Sequence, residues 1–142
     1  MSIEENKAIV RRYWEEAWNK GNLAVVDELV AADFDGHPQP SDPDFGRGPE
    51  GVKRLVGMYR AAFPDVQMTI EDMLAERDRV LVRWTGRGIH MGELMGIPAT
   101  GKSATVTGMF LSRIADGKIV EGWGNFDALG MLQQLGVVPS PG

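Results

Sequence analysis

Residues 102–127 read KSATVTGMFLSRIADGKIVEGWGNFD. In both halves apolar and polar residues alternate, and Asp116-Gly117 stands between them. An Asp-Gly pair favours a two-residue hairpin turn, because both central positions need positive φ. The spacing therefore predicts paired antiparallel strands over 102–114 and 118–126. A second pair precedes them, Val66 to Ala75 and Arg79 to His90, joined through Glu76-Arg77-Asp78. The segment Met91 to Gly101 carries Gly and Pro and reads as a crossover.

Upstream the pattern changes to helical spacing. Ser2 and Glu5 form an S-x-x-E capping box. Ile9, Val10, Tyr13, Trp14, Ala17 and Trp18 then share one face of a helix that Gly21 stops. Asn22 is placed to cap a second helix carrying Leu23, Val26, Leu29 and Val30. Residues 33–49 read DFDGHPQPSDPDFGRGP, a loop composition with room for a short strand at its start. A loop this long is often functional. Pro49 suits the first turn of a third helix, and Pro64 ends it. A short helix over 128–135 closes at Gly136. Three helices, a run of antiparallel strands and a final helix make an α+β domain over 1–142. A strongly curved antiparallel sheet with N-terminal helices over its concave face leaves a cavity suited to a small molecule.

Composition narrows the function. The 142 residues include 43% hydrophobic and 25% charged residues, as in ordinary globular domains. The net charge of -5 argues against a nucleic-acid partner, which selects clustered Lys and Arg, and against attraction to anionic membranes. No cysteine is present, so thiolate chemistry and disulfides are excluded. The N-terminus is amphipathic rather than signal-like, and a cytoplasmic location is expected.

Gly96 to Ser103 (GIPATGKS) matches a phosphate-loop pattern. That loop needs a helix behind it to aim N–H groups at phosphate. Here an alternating strand follows, so the match carries no function. His37, with Asp35, Asp42 and Asp44 nearby, lacks a defined ligand spacing; a solvated loop is favoured over a metal site.

The last strand holds the main site candidates. Along a regular strand Ile119, Glu121, Trp123, Asn125 and Asp127 share one side. Two carboxylates, an amide and an indole with little aliphatic bulk are expected to form a pocket wall. Asp127 also precedes a helix and suits an N-cap. Arg83 is either an exposed strand residue or an anion partner in the cavity. His90 is either at the surface or a pocket-rim proton carrier. The two differ in parity, so an unbroken strand turns only one of them inward. Tyr13, Trp14, Trp18 and Tyr59 read as core, with Trp14 the one expected to line the cavity.

The chain resembles the SnoaL-like polyketide (ester) cyclases, within the cone-shaped nuclear transport factor 2-like superfamily. The resemblance rests on Ile9-x-x-x-Tyr13-Trp14-x-x-x-Trp18-Asn19, His37-Pro38, Ala62-Phe63-Pro64-Asp65, Asp78-Arg79-Val80 leading to Arg83, Gly88-Ile89-His90-x-Gly92, Gly96-Ile97-Pro98-x-Thr100-Gly101-Lys102, Asp116-Gly117-Lys118-Ile119-x-Glu121-x-Trp123-x-x-x-Asp127 and Gln134-Leu135-Gly136. It implies an intramolecular aldol condensation on a hydrophobic ligand, with Asp127 as acid/base and no metal or organic cofactor. His90, Asn125 or Arg83 would serve the enolate oxygen. His37, Glu121 and Trp123 join Trp14, Arg83 and Asn125 as expected ligand contacts. A homodimer is also expected. The same architecture hosts isomerases, for which Tyr13 and Asp35 could supply donors, and epoxide hydrolases, for which Arg83 and Asp127 supply two of three relay members. A non-catalytic carrier of a small hydrophobic ligand is the remaining alternative.

Overall fold

The fold is seen in a computed structural model that describes residues 2–140. Helix α1, Ile3–Tyr13, starts at the capping box: Ser2 Oγ accepts from the Glu5 amide and Glu5 Oε1 from the Ser2 amide, both at 3.1 Å. Trp14–Asn19 then winds as a π-helix rather than the continuous α-helix that the spacing predicts. Residues five apart diverge by roughly 140° on an α-helix. The i→i+5 winding brings them to one face. Tyr13 and Trp18 thereby meet, with Trp18 Nε1 donating to the Tyr13 hydroxyl at 3.2 Å. Trp14 and Trp18 stack, 6.2 Å between centroids.

The end of this turn is fastened twice. The Arg60 guanidinium donates to the carbonyls of Trp18 and Asn19. The Asn19 amide donates to the Met68 carbonyl (2.9 Å) and accepts from its N–H (2.6 Å), standing in for a neighbouring strand.

Helix α2, Ala24–Leu29, begins at Leu23 without a side-chain cap, so Asn22 does not play the capping part expected of it. Strand β1, Val30–Asp35, follows directly. The long loop leads to α3, Gly48–Ala62, with Pro49 in its first turn. Strands β2 (Gln67–Glu76), β3 (Arg79–Ile89), β4 (Ser103–Ala115) and β5 (Lys118–Phe126) form the two hairpins, and α4 spans Ala128–Gln134. Asp116 and Gly117 take φ of 51° and 75°, as their turn requires. The sheet order is β1-β5-β4-β3-β2. All pairs are antiparallel except β1 with β5, which run parallel. The curved sheet with helices over one face is the α+β architecture expected. No helix among the described residues is long and apolar enough to cross a membrane.

Strand alternation decides which side chains meet the helices. On β3 the covered face carries Val80, Val82 and Trp84; on β4 it carries Ala104, Val106, Gly108 and Phe110. Val80 and Val82 are fully buried with Val10, Val26 and Val56. Each such burial stabilises by about 1.5–3 kcal/mol. β5 contributes Gly122, Gly124 and Phe126 to the same face. The glycines leave space for neighbouring rings. A Cβ on Gly124 would stand 2.7 Å from Phe110 Cδ2, and one on Gly122 would overlap the edge of that ring. A Cβ on Gly108 would lie 2.5 Å from Trp84 Cζ2.

Candidate active site

Between the covered sheet face, α1, the π-turn and α3 lies a cavity of about 170 Å³. An apolar cavity of about 150 Å³ is enough to admit a benzene ring. Its wall is almost wholly apolar. Five rings close a circuit around it: Trp14–Trp18 (6.2 Å), Trp18–Tyr59 (6.1 Å), Tyr59–Phe126 (6.3 Å), Phe126–Trp84 (6.3 Å) and Trp84–Trp14 (5.9 Å). Such spacings suit offset and edge-to-face contacts with a flat guest.

The polar groups in this wall are few. Gln39 and Asp42 come from the long loop, where Gln39-Pro40-Ser41-Asp42 makes a turn closed by the Asp42 amide donating to the Gln39 carbonyl at 2.9 Å. Pro40 presets the backbone for such a turn. Among the described residues lining the cavity, Asp42 is the one carboxylate. Tyr59 on α3 donates to Asp42 Oδ1 at 2.5 Å. Burial raises the Asp42 carboxyl above the usual carboxylate range, against the opposing pull of that hydrogen bond. Burial, and then the Asp42 carboxylate, push the Tyr59 phenol far above its ordinary range. Tyr13 also lines the cavity; burial pushes it up to about 12. Its oxygen accepts from Trp18, and its own hydrogen has no acceptor among the described residues.

Of the residues expected to contact a ligand, Trp14 lines this cavity, and Tyr13, Trp18 and Tyr59, read from sequence as core, line it too. His37, Arg83, His90, Glu121, Trp123, Asn125 and Asp127 do not, and the expectation of a pocket wall on β5 is corrected. Glu121, Trp123 and Asn125 do share a side of the strand, but it is the side away from the helices; Gly122, Gly124 and Phe126 face in, and so does Ile119, because the register with β4 shifts between it and Glu121. Asp127 is exposed and caps α4, its Oδ1 accepting from the Gly130 amide at 2.9 Å. Arg83 is on the open face, paired with Asp72 at 2.7 Å. His90 turns inward, as parity allows, but is neither at the rim nor on the cavity wall. It is fully buried against Phe63, and its Nδ1 accepts from the Thr100 amide at 3.2 Å. That bond assigns the ring proton to Nε2, which has no partner among the described residues.

His37 belongs to a separate cluster on the open face. Its ring lies on Trp123, and Nε2 is 2.7 Å from Glu121 Oε2. Asp35, His37 and Glu121 bring potential ligand atoms within 4.8 Å of one another. Both carboxylates already have cations, Arg47 at 3.2 Å from Asp35 and Arg113 at 3.0 Å from Glu121. The two arginines offset the charge of the two carboxylates.

Asp42 entered the sequence reading only as a neighbour of His37. The one signal that it is special is Pro40 two residues earlier, which marks a turn but not its direction.

The comparisons agree with this architecture. A family model described as SnoaL-like polyketide cyclase matches residues 8–135. The nogalonic acid methyl ester cyclase of Streptomyces nogalater is 33% identical over 123 residues, covering 84% of this chain and 90% of that protein. The aklanonic acid methyl ester cyclase DnrD of Streptomyces peucetius is 33% identical over 131 residues, covering 90% and 88%. Among solved structures, TsrD from Streptomyces laurentii superimposes with a TM-score of 0.87 at 25% identity, covering 97% of this chain and 99% of that one.

Proposed function

The chain belongs to the SnoaL-like polyketide cyclase family, and on that premise we propose that it closes a ring in a hydrophobic polyketide-like molecule by acid/base-catalysed intramolecular aldol condensation. The reading rests on one observation: an aromatic cavity whose wall, among the described residues, carries a single carboxylate. An aldol closure needs few things from a protein. The flexible chain must be folded so that two of its own carbons meet, which intramolecular geometry rewards strongly. A base must reach a carbon acid, and a donor must meet the enolate oxygen. A dry aromatic wall does the first by confining a flat, partly cyclised guest. The base must lie in the cavity, and Asp127 is turned to water and engaged in capping.

The relatives are named for nogalonic and aklanonic acid methyl esters, so these two compounds are the test substrates. Incubation with either, followed by chromatography and mass analysis, should give a cyclised isomer, or that isomer less one water. Recovery of both unchanged, bound but unreacted, would make the protein a carrier and end the catalytic reading.

A further inference from the structure

We propose that Asp42, held through Oδ1 by Tyr59, is the carboxylate that removes and returns the proton in this cavity, and that the Tyr13 hydroxyl donates to the enolate oxygen. The proposal rests on the cyclase reading above and gives it its missing base. Three observations place the role at this residue. Asp42 is the carboxylate of the cavity wall, whereas Asp35, Glu121 and Asp127 lie outside it. The turn at Pro40 and the bond from Tyr59 fix its position from two elements, the loop and α3. Its second oxygen, Oδ2, has no hydrogen-bond partner among the described residues, which leaves it open to a guest.

The step balances without any further reagent. Asp42 Oδ2 takes a proton from the carbon beside a carbonyl. The C–H electron pair passes into the enolate, whose oxygen is met by the free hydrogen of Tyr13. The enolate carbon attacks the second carbonyl carbon; the new C–C bond forms, and the π pair of that carbonyl moves to its oxygen. Asp42 returns its proton there and ends as it began. Product and substrate are isomers until water is lost.

The surroundings suit the task. An ordinary carboxylate is too weak a base for a carbon acid, and burial strengthens it. Tyr59 keeps its proton throughout, so it remains a donor and never competes as the base. Among the described residues, the titratable or charged groups sharing the wall with Asp42 are Tyr13, Tyr59 and Arg87. None of these is a second carboxylate that could replace it.

The test uses the whole chain and 2-tetralone, a fused-ring ketone whose α-protons exchange with D2O once a base reaches them. Exchange is followed by NMR, binding by quenching of tryptophan fluorescence, and folding by thermal melt. The wild type should accelerate exchange, and Asp42→Asn should lose it by roughly 10²–10⁴-fold while still binding the ketone. Asp127→Asn should exchange like wild type. Exchange in Asp42→Asn near the wild-type rate, or no acceleration by a wild type that binds the ketone, overturns the assignment. Should Asp42→Asn not fold, the wild-type pH profile decides. Exchange should rise through one ionisation above the ordinary carboxylate range, and Tyr59→Phe should move it higher; a flat or unmoved profile overturns the proposal. The two readings fail separately. Asp42-dependent exchange without cyclisation of either methyl ester removes only the cyclase reading. Cyclisation that persists in Asp42→Asn removes only the assignment.

Discussion

The imidazole of His37 lies flat on the indole of Trp123, 5.0 Å between centroids with the planes 10° apart, and Arg79 covers Trp123 at 5.3 Å. The stack fixes one end of the loop that carries Gln39 and Asp42. His37 itself sits at φ 43°, held by its amide donating to Asp35 Oδ1 at 3.1 Å. The cavity turn is therefore anchored on the opposite side of the sheet from the cavity.

Glu121 ties this anchor to the sheet, and its contribution should depend on acid. The His37 hydrogen bond, then Arg113, hold its carboxyl below its ordinary 4.5. A depressed carboxyl stabilises the fold above its unfolded value and loses that contribution as pH falls through the folded one. Wild type should melt above Glu121→Gln at neutral pH, with the gap closing below about pH 4.5. Melting curves that keep a constant gap down to pH 3 would show that the pair contributes nothing.

Asp42 has the opposite sign. Its folded value is raised from 3.8, so the protonated acid favours the fold and ionisation costs stability as pH rises through the raised value. Asp42→Asn should therefore gain in melting temperature relative to wild type as pH increases from about 4 to 7. A difference that is flat or shrinks over that range contradicts a buried, ionising carboxylate.

Asp127→Ala should lower stability by about 1 kcal/mol, through the lost cap on α4. Turnover by the folded protein should stay at the wild-type level. Urea unfolding beside the cyclisation assay separates the two quantities, and a large loss of turnover at full folding would return the residue to the chemistry.

Gly122→Ala puts a methyl where the Phe110 ring lies. Overpacking of this kind costs about 1–3 kcal/mol. Adding Phe110→Leu should recover much of it, because the obstacle is that ring. Urea midpoints of the single and double variants test this; equal midpoints would mean that the strand gives way instead.

Much of the fold could be read directly. The Asp116-Gly117 turn and the alternation around it specify a hairpin locally, and the opposite parity of Arg83 and His90 survives because β3 and β4 pair without interruption from Arg79↔Arg113 to Ile89↔Ser103. The site was less legible. Glu121, Trp123 and Asn125 do share a side, but which side is covered depends on Phe110, a neighbour from another strand. Gly122 and Gly124 look featureless until that ring is placed beside them. The periodicity of Val10, Tyr13, Trp14, Ala17 and Trp18 fits α and π winding about equally, so the wider turn left no mark in the spacing. Asp42 needed tertiary contact: Pro40 announces a turn, and only Tyr59, 17 residues on, shows where it points.

The π-turn makes the shape of the cavity adjustable by length. It holds one residue more per turn than its α-helical neighbours. Deleting one residue between 14 and 19 would restore α winding, and because the wider turn absorbs that residue, α1 and its buried Val10 would keep their place. The wall would carry one side chain fewer along this stretch while the sheet, Asp42 and Tyr59 stayed where they are. A single codon lost there offers a route to a different guest that leaves the framework untouched.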